Sequence, residues 1–484
     1  MSPFYKICAA ARRPPREENR PMKRILCPVL ALCLLAGCSL PGPAPDQATA
    51  ETAAPAPTAA PQALTVYYAG GADSPAGTAL RTYADAQGVT LTELGPDADP
   101  AEADLAVLDA RPAGDGWKNL SDDALLATAA LRAGLSGEDG LAADPVYALP
   151  FGKTLYAYWA DNSLLAALLG ADADTLTGDL QAAAWGEWSD LAEALTDWLE
   201  EPAETDLTLN GNTYTLPAER PEAAAGLEGV FSLCADDAVA GGDGLPLYTA
   251  ALLAAGDTRS EDTLTGPLNG VYSALTLELS NALPAESPTA AVQAVAEHRA
   301  VFYRGSLTDW LLYSGGALAD SLVWVPAKCD LVESDLTSTE YNLTGLLNYP
   351  VLANEGWLAI PAGADESGAR AASAAILWLY TSQAGEETLT QTLGLVTAWG
   401  TASNDAALTA MQVEQVGAGI LPEPELETAA ADALAEAGRA LAYDEDGALR
   451  QSFTTTLRTA WREGAIAALQ TPEATGDAAD NGQE

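Results

Sequence analysis

The side chains in this 484-residue chain that could do chemistry fail, one after another, on spacing. Gly152-Lys153-Thr154 reads as the end of a phosphate loop, whose backbone N–H groups cradle the ligand between two glycines. The leading glycine would fall at Tyr147, so that turn is not specified. Asp172 and Asp174 begin like a calcium loop, but Gly178 arrives one place late and Ala183 stands where a bidentate glutamate belongs. Helix-capping aspartates are the simpler account. A serine-hydrolase elbow needs Gly-x-Ser-x-Gly, and the stretch from Gly134 ends instead in Glu138. The one histidine, His298, excludes a multi-histidine metal site within one chain and reads as a structural or surface residue. With 68 acids, carboxylate pairs for glycoside hydrolysis occur everywhere, so none stands out. The expectation is a protein that is not an enzyme and uses no cofactor or metal; the alternatives are a carboxylate-using surface hydrolase and a bilobed surface protein that does not serve transport.

The elements that would position such residues alternate strand and helix. "LTVYYAGG" (64–71) predicts a strand ending in glycines, and 73–88 a helix capped by Asp73 or Ser74, with Pro75 in its first turn and Gly88 at its end. "VTLTEL" (89–94) alternates as a strand, and "ADLAVLD" (103–109) is apolar like a buried parallel strand. This is the opening of an α/β lobe. Trp188, Leu191, Leu195 and Trp198 recur at helical spacing over 185–201, and Asn210-Gly211 turns a hairpin over 207–216. Residues 298–313 pass from strand to helix, 321–327 form a strand closed by proline, 354–398 give a strand, a turn and a long helix, and 423–470 are helical in pattern.

The start of the chain carries a different signal. Met22-Lys23-Arg24 precedes an apolar run from Ile25 to Ala36, which is shorter than the roughly 20 residues a bilayer span needs. Leu35-Ala36-Gly37-Cys38 resembles a bacterial lipobox, which implies cleavage before Cys38 and acylation of its sulfur. Residues 1–37 are then a leader whose signal starts at Met22. Residues 38–62, rich in Pro, Ala and Thr, are a tether with too little apolar surface to offset chain entropy. Beyond the leader, 15 basic side chains face 66 acidic ones, a balance that repels nucleic acid and anionic lipid. Cys234 and Cys329 remain and could pair in an oxidising exterior.

Taken in order, the segments "YALPFGKTLYAYWADNSLL" (147–165), "WGEWSDLAEAL" (185–195), "RAVFYRGSLTDW" (299–310) and "GWLAIPAGADESGARAASAAILWLYTSQAGEE" (356–387) resemble the extracellular solute-binding proteins of ABC importers, in particular the sugar-binding family that includes maltose-binding proteins. Tyr158-Trp159 departs from the family's Tyr-Asn. The resemblance implies a two-lobed α/β fold of the periplasmic-binding-protein type II, with a hinge and a cleft between lobes. It implies lobe 1 over 63–152 and 323–398, lobe 2 over 153–322 and 399–470, crossings near 148–156, 321–327 and 396–402, and a disordered tail over 471–484. It further implies a monomer, lipid-anchored on the outer face of the cell membrane, that takes a small solute, a sugar by that correspondence, to the transmembrane subunits of a permease. By that correspondence Trp310 and Trp357 would stack on the solute, Gly70, Gly71 and Asp73 would face it from a loop, and Asp109 and Trp159 would lie near it. Each has a competing structural role: core packing for Trp310 and Trp357, and a helix cap for Asp73. Trp461 sits where the family's tail often supplies another stacking ring.

Overall fold

The computed structural model describes residues 63–470, except 113, 115, 133–144, 241–243, 319–320, 397–419, 424–425, 427 and 451. The leader, Cys38, the tether, the third expected crossing beyond Val396 and the tail therefore lie outside the described residues. No helix among the described residues is long and apolar enough to cross a membrane.

Two sheets organise the body. The first contains β1 (Ala63–Tyr68), β2 (Thr90–Leu94), β3 (Leu105–Leu108), β4 (Ala148–Pro150) and β13 (Trp357–Ala359), in the order β2-β1-β3-β13-β4. β1 runs parallel to β2 and β3 because a helix returns the chain between the first two. That helix, Pro75–Gln87, is capped by the Ser74 side chain and ends at Gly88 in the left-handed conformation. Its buried face joins Leu64, Val66, Leu105 and Leu358 in one core, together with Ile376 and Leu379 of the helix Glu366–Thr381.

The second sheet is built around one long strand, β5 (Lys153–Asp161). Its neighbours are β8 (Gly229–Leu233), β9 (Ala282–Pro284), β10 (Ala300–Ser306), β11 (Leu322–Val325), β12 (Val351–Asn354) and β14 (Leu421–Pro422). β10 pairs with one edge of β5. β12 and β11 share its other edge end to end, β12 against residues 153–156 and β11 against residues 158–161. Eight of the nine residues of β5 are buried, as a central strand covered on both faces requires. A hairpin of β6 (Thr205–Leu209) and β7 (Asn212–Leu216) stands apart, its Asn210-Gly211 turn at positive φ at both positions. The C-terminal helices Thr428–Ala442 and Thr455–Leu469 add Leu434, Leu441, Trp461 and Ile466 to the core of this second lobe.

The pairing corrects the expected return at 321–327 and the assignment of 323–398 to the first lobe. Both β11 and β12 hydrogen-bond to β5, so residues 322–354 belong to the second sheet. The chain reaches the first sheet only between Asn354 and Trp357. An apolar strand closed by proline looks the same whichever sheet it joins, because pairing partners are set by distant residues. Cys234 and Cys329 do not form a disulfide. Asp172 caps the helix Ala173–Ala182 through the Thr175 N–H, as expected of the acidic stretch at 171–179.

One charged pair lies inside the second core. Arg304 on β10 donates from Nε and Nη2 to the two carboxylate oxygens of Glu278, at 2.7 and 2.6 Å, and each residue is 1% exposed. Tyr158 donates to the same carboxylate, and Arg304 Nη2 also donates to the Ala238 carbonyl. Trp188, Phe231 and Phe302 pack around the Tyr158 ring. Burial and the Glu278 charge push the Tyr158 hydroxyl well above its usual range, so it stays a donor. Removing one partner of such a pair strands the other charge. Arg304→Met should therefore cost about 3–5 kcal/mol in denaturant unfolding, and adding Glu278→Leu should restore much of the loss. Losses that simply add in the double variant would contradict this.

Candidate functional site

The two sheets meet where the chain passes between them, and backbone hydrogen bonds tie the passages together. Phe151 N donates to Gly356 O at 2.7 Å and Glu355 N to Gly152 O at 2.8 Å. Lys153 and Val396 exchange N–H···O bonds at 2.9 and 2.7 Å. The Tyr380 hydroxyl, from the first lobe, donates to Pro150 O beside the passage. Gly152 is closely packed here: a Cβ at that position would lie 3.1 Å from the Leu395 side chain, which would have to shift to admit it.

Around this junction the structure gathers part of the expected set. Trp357 pairs with Leu108, which puts Asp109 at the neighbouring strand end. A Cβ on Gly70 would lie 3.7 Å from Asp109 Oδ1, so the glycine loop after β1 and this carboxylate are adjacent. Gly71 has a φ of +86°, and Asp73 follows in the same loop, exposed. Ser74 rather than Asp73 makes the helix cap, and the Asp73 carbonyl instead accepts from the Tyr313 hydroxyl at 2.9 Å. Tyr313 ends the helix Leu307–Tyr313 that follows β10, so this bond joins the two lobes. Trp357 is half-buried, with the Arg111 guanidinium 5.6 Å from its ring centroid.

Three tryptophans do not join this group. Trp159 is fully buried on β5, with Nε1 donating to Gly305 O at 2.9 Å. Trp310, 1% exposed, packs with Trp159, Tyr303 and Trp324 in a core on one face of the second sheet. The expectation that Trp159 and Trp310 contact a solute is corrected accordingly: neither ring has an open face. Trp461 is also a core residue, 5.9 Å from the Tyr272 ring. Helical spacing cannot distinguish a ring that faces a core from one that faces a ligand, since both are apolar environments.

The junction also holds carboxylates that sequence reasoning did not single out. Glu355 links β12 to β13, and its carboxyl is hydrogen-bonded by Ser306. Ser306 Oγ accepts in turn from Asp309 N at 2.9 Å. Glu423, directly after β14, accepts from Asn354 N at 2.9 Å. Burial, then Asp309, Glu423 and Asp109, push the Glu355 carboxyl up to about 8, so it holds a proton at neutral pH. Its Oε1 is sealed from solvent and has no hydrogen-bond partner, an arrangement that costs about 1–3 kcal/mol. Asp109 keeps contact with solvent, yet the protein around it displaces enough water to raise its pKa, and Asp432 adds to the rise. In a chain with 68 acids no spacing marks these residues; only their convergence does.

A cavity of 530 Å³ lies elsewhere, on the second lobe between Trp185, Tyr272 and Phe453, and includes none of the expected site residues. His298, with φ +58°, places Nε2 2.8 Å from the buried Asp161 carboxylate, a structural contact. Among the described residues no group of three or more His, Cys, Asp or Glu is placed to hold a metal ion.

No protein-family model matches the chain, and no curated protein sequence does. Solved structures do match its fold. Maltose-bound MalE3 of T. maritima aligns with a TM-score of 0.53 at 12% identity, covering 84% of this chain and 100% of that one. A sugar transporter protein of Bacillus licheniformis in complex with stachyose gives 0.52 at 14% identity, again with 84% and 100% covered. The GacH receptor of Streptomyces glaucescens, solved unliganded and with acarbose, gives 0.52 at 12% identity over 84% and 98%. The chain thus has the two-lobed α/β solute-binding-protein fold.

Two outcomes follow from the burial and the protonation. Trp310→Ala should destabilise the protein by about 3–5 kcal/mol, measured by denaturant unfolding; a change under about 1 kcal/mol would return the ring to the candidate site. For Glu355, a folded pKa near 8 lies above the ordinary value of roughly 4.3 in the unfolded chain. The unfolded chain therefore releases this proton first, and the penalty grows from about pH 4 to a plateau above about pH 8. Glu355→Gln should raise the melting temperature at pH 8–9 and leave it little changed near pH 4; equal shifts at both would contradict the assignment.

Proposed function

We propose that this protein is a lipid-anchored, extracellular substrate-binding protein of an ABC importer, capturing a small solute by closure of the two lobes. The observation that carries this reading is the shared fold, which spans 84% of this chain and all or nearly all of the matched solute-binding proteins. The junction geometry supports it: Gly70, Asp109 and Trp357 lie together on the first lobe, and the Asp73 carbonyl of the same glycine loop accepts from the Tyr313 hydroxyl of the second. The half-buried Trp357 ring is the apolar platform on which a pyranose face would stack, and the matched proteins are described with maltose, stachyose and acarbose. A carbohydrate is accordingly the first solute class for this chain. Closure selects the state in which the solute touches both lobes at once.

The lipobox-like stretch ending at Cys38, followed by a Pro/Ala/Thr-rich tether, supports attachment to the outer face of the membrane. From there a monomer would deliver the solute to permease subunits. One observation favours a second reading, a surface hydrolase. A carboxyl held protonated at Glu355 near the Asp109 carboxylate is the division of labour of an acid and its partner.

Thermal unfolding against sugars, amino acids and peptides separates these readings. A solute at about 100 times its Kd should stabilise the protein by about 2.7 kcal/mol, be recovered unchanged, and lose this effect in Trp357→Ala. A solute that is consumed would establish the hydrolase instead.

A further inference from the structure

The helix Leu307–Tyr313 has its two ends in different lobes. Its first half is fixed in the second lobe. Leu307 and Trp310 are buried in the core that includes Trp159, and Thr308 Oγ1 donates to Thr154 Oγ1 of β5 at 2.8 Å. The Ser306 side chain caps the helix by accepting from Asp309 N. Its last residues meet the first lobe. Leu312 packs against the core that holds Leu64, Val66 and Leu358, and the Tyr313 hydroxyl donates to Asp73 O at 2.9 Å. Leu311 lies against Gly394, where a Cβ would come within 2.7 Å of Leu311 Cδ1.

The accepting loop is equally fixed. Gly77, in the first turn of the helix Pro75–Gln87, lies under it: a Cβ there would come within 1.9 Å of the Ala72 carbonyl oxygen. Ala72 packs on the same first-lobe core as Leu312. This is the loop that adjoins Asp109 at Gly70, so the second lobe is bonded to the side of the first that carries the candidate site.

Donor and acceptor both belong to the chain, so forming this bond needs no solute. It is also separate from the backbone ladder that joins Phe151, Gly152 and Lys153 to Gly356, Glu355 and Val396. Rotating one lobe about that ladder changes the distance from Tyr313 to Asp73, and a hydrogen bond is lost beyond about 3.5 Å.

We propose that the helix Leu307–Tyr313 is an interlobe latch, in which Tyr313 is a positioning residue that holds the glycine loop against the second lobe. The latch itself stands on these contacts; its part in capture rests on the solute-binding reading above. There, a larger fraction of chains with apposed lobes raises the apparent affinity for solute by the same factor.

The test measures the distance between the lobes, without added solute, by pulsed electron paramagnetic resonance on the full chain. Spin labels are attached through Gln87→Cys on the first lobe and Glu201→Cys on the second, both exposed positions. The buried Cys329 is retained and the other native cysteines are changed to Ser. Tyr313→Phe should shift the ratio of apposed to separated lobes roughly two- to tenfold toward separation, the range set by one typical net hydrogen bond. Adding Leu312→Ala should shift it further. Tyr349→Phe, at an exposed tyrosine of the second lobe, should leave the distribution unchanged. A melting curve for each variant checks that it is folded. An unchanged distribution in the folded double variant would overturn the latch, while solute capture would still be decided by the unfolding panel. A shift in Tyr349→Phe equal to that in Tyr313→Phe would also overturn it, because any lost hydroxyl would then act alike.

Discussion

Everything else in this structure depends on the short ladder that ties the passages between the two sheets. Phe151, Gly152 and Lys153 on one side bond to Gly356, Glu355 and Val396 on the other, all through backbone N–H and C=O groups. Buried backbone groups must find partners, so this ladder sets the positions of β4, β5, β12 and β13 relative to one another. β13 then brings Trp357 beside β3, and β12 brings Asn354 beside Glu423. Moving this register by one residue would turn Trp357 and Leu358 to opposite faces, exposing a core leucine and burying the half-open ring.

The second lobe is held together by interactions that can be named. β5 is shared by three strands, and its buried tyrosine, Tyr158, connects the aromatic cluster to the Arg304–Glu278 pair. The hairpin is anchored separately: Asn210, Asn212 and Tyr214 all donate to Asp179, and Glu187 receives the turn N–H groups of Asn210 and Gly211. Those hydrogen bonds hold the Asp179 carboxyl below its usual range against the opposing effect of burial. At the junction, by contrast, burial and acidic neighbours raise the Glu355 pKa, a cost to the folded protein at neutral pH. Sites that bind or react commonly carry such a cost, because groups arranged for a ligand are poorly matched to its absence.

The sequence by itself determined the α/β alternation, and for local reasons. Ser74, Pro75 and Gly88 define their helix through capping and φ preference, the Trp188–Trp198 spacing defines another, and Asn210-Gly211 specifies a turn. The colinear resemblance to solute-binding proteins is what puts Gly70, Asp109 and Trp357 forward as site residues, and the structure places them side by side on the first lobe. What only the tertiary structure decided was nonlocal. Nothing near residues 322–325 says that they pair with β5 rather than with the first sheet. Nothing near Trp159 or Trp310 says that their rings meet a core instead of a solute. Glu355, Asp309 and Glu423 are three acids among 68, and become a group only because strand register and two hydrogen bonds bring together residues more than forty positions apart. Local conformation follows from local residues, whereas a site follows from which distant residues the pairing makes neighbours.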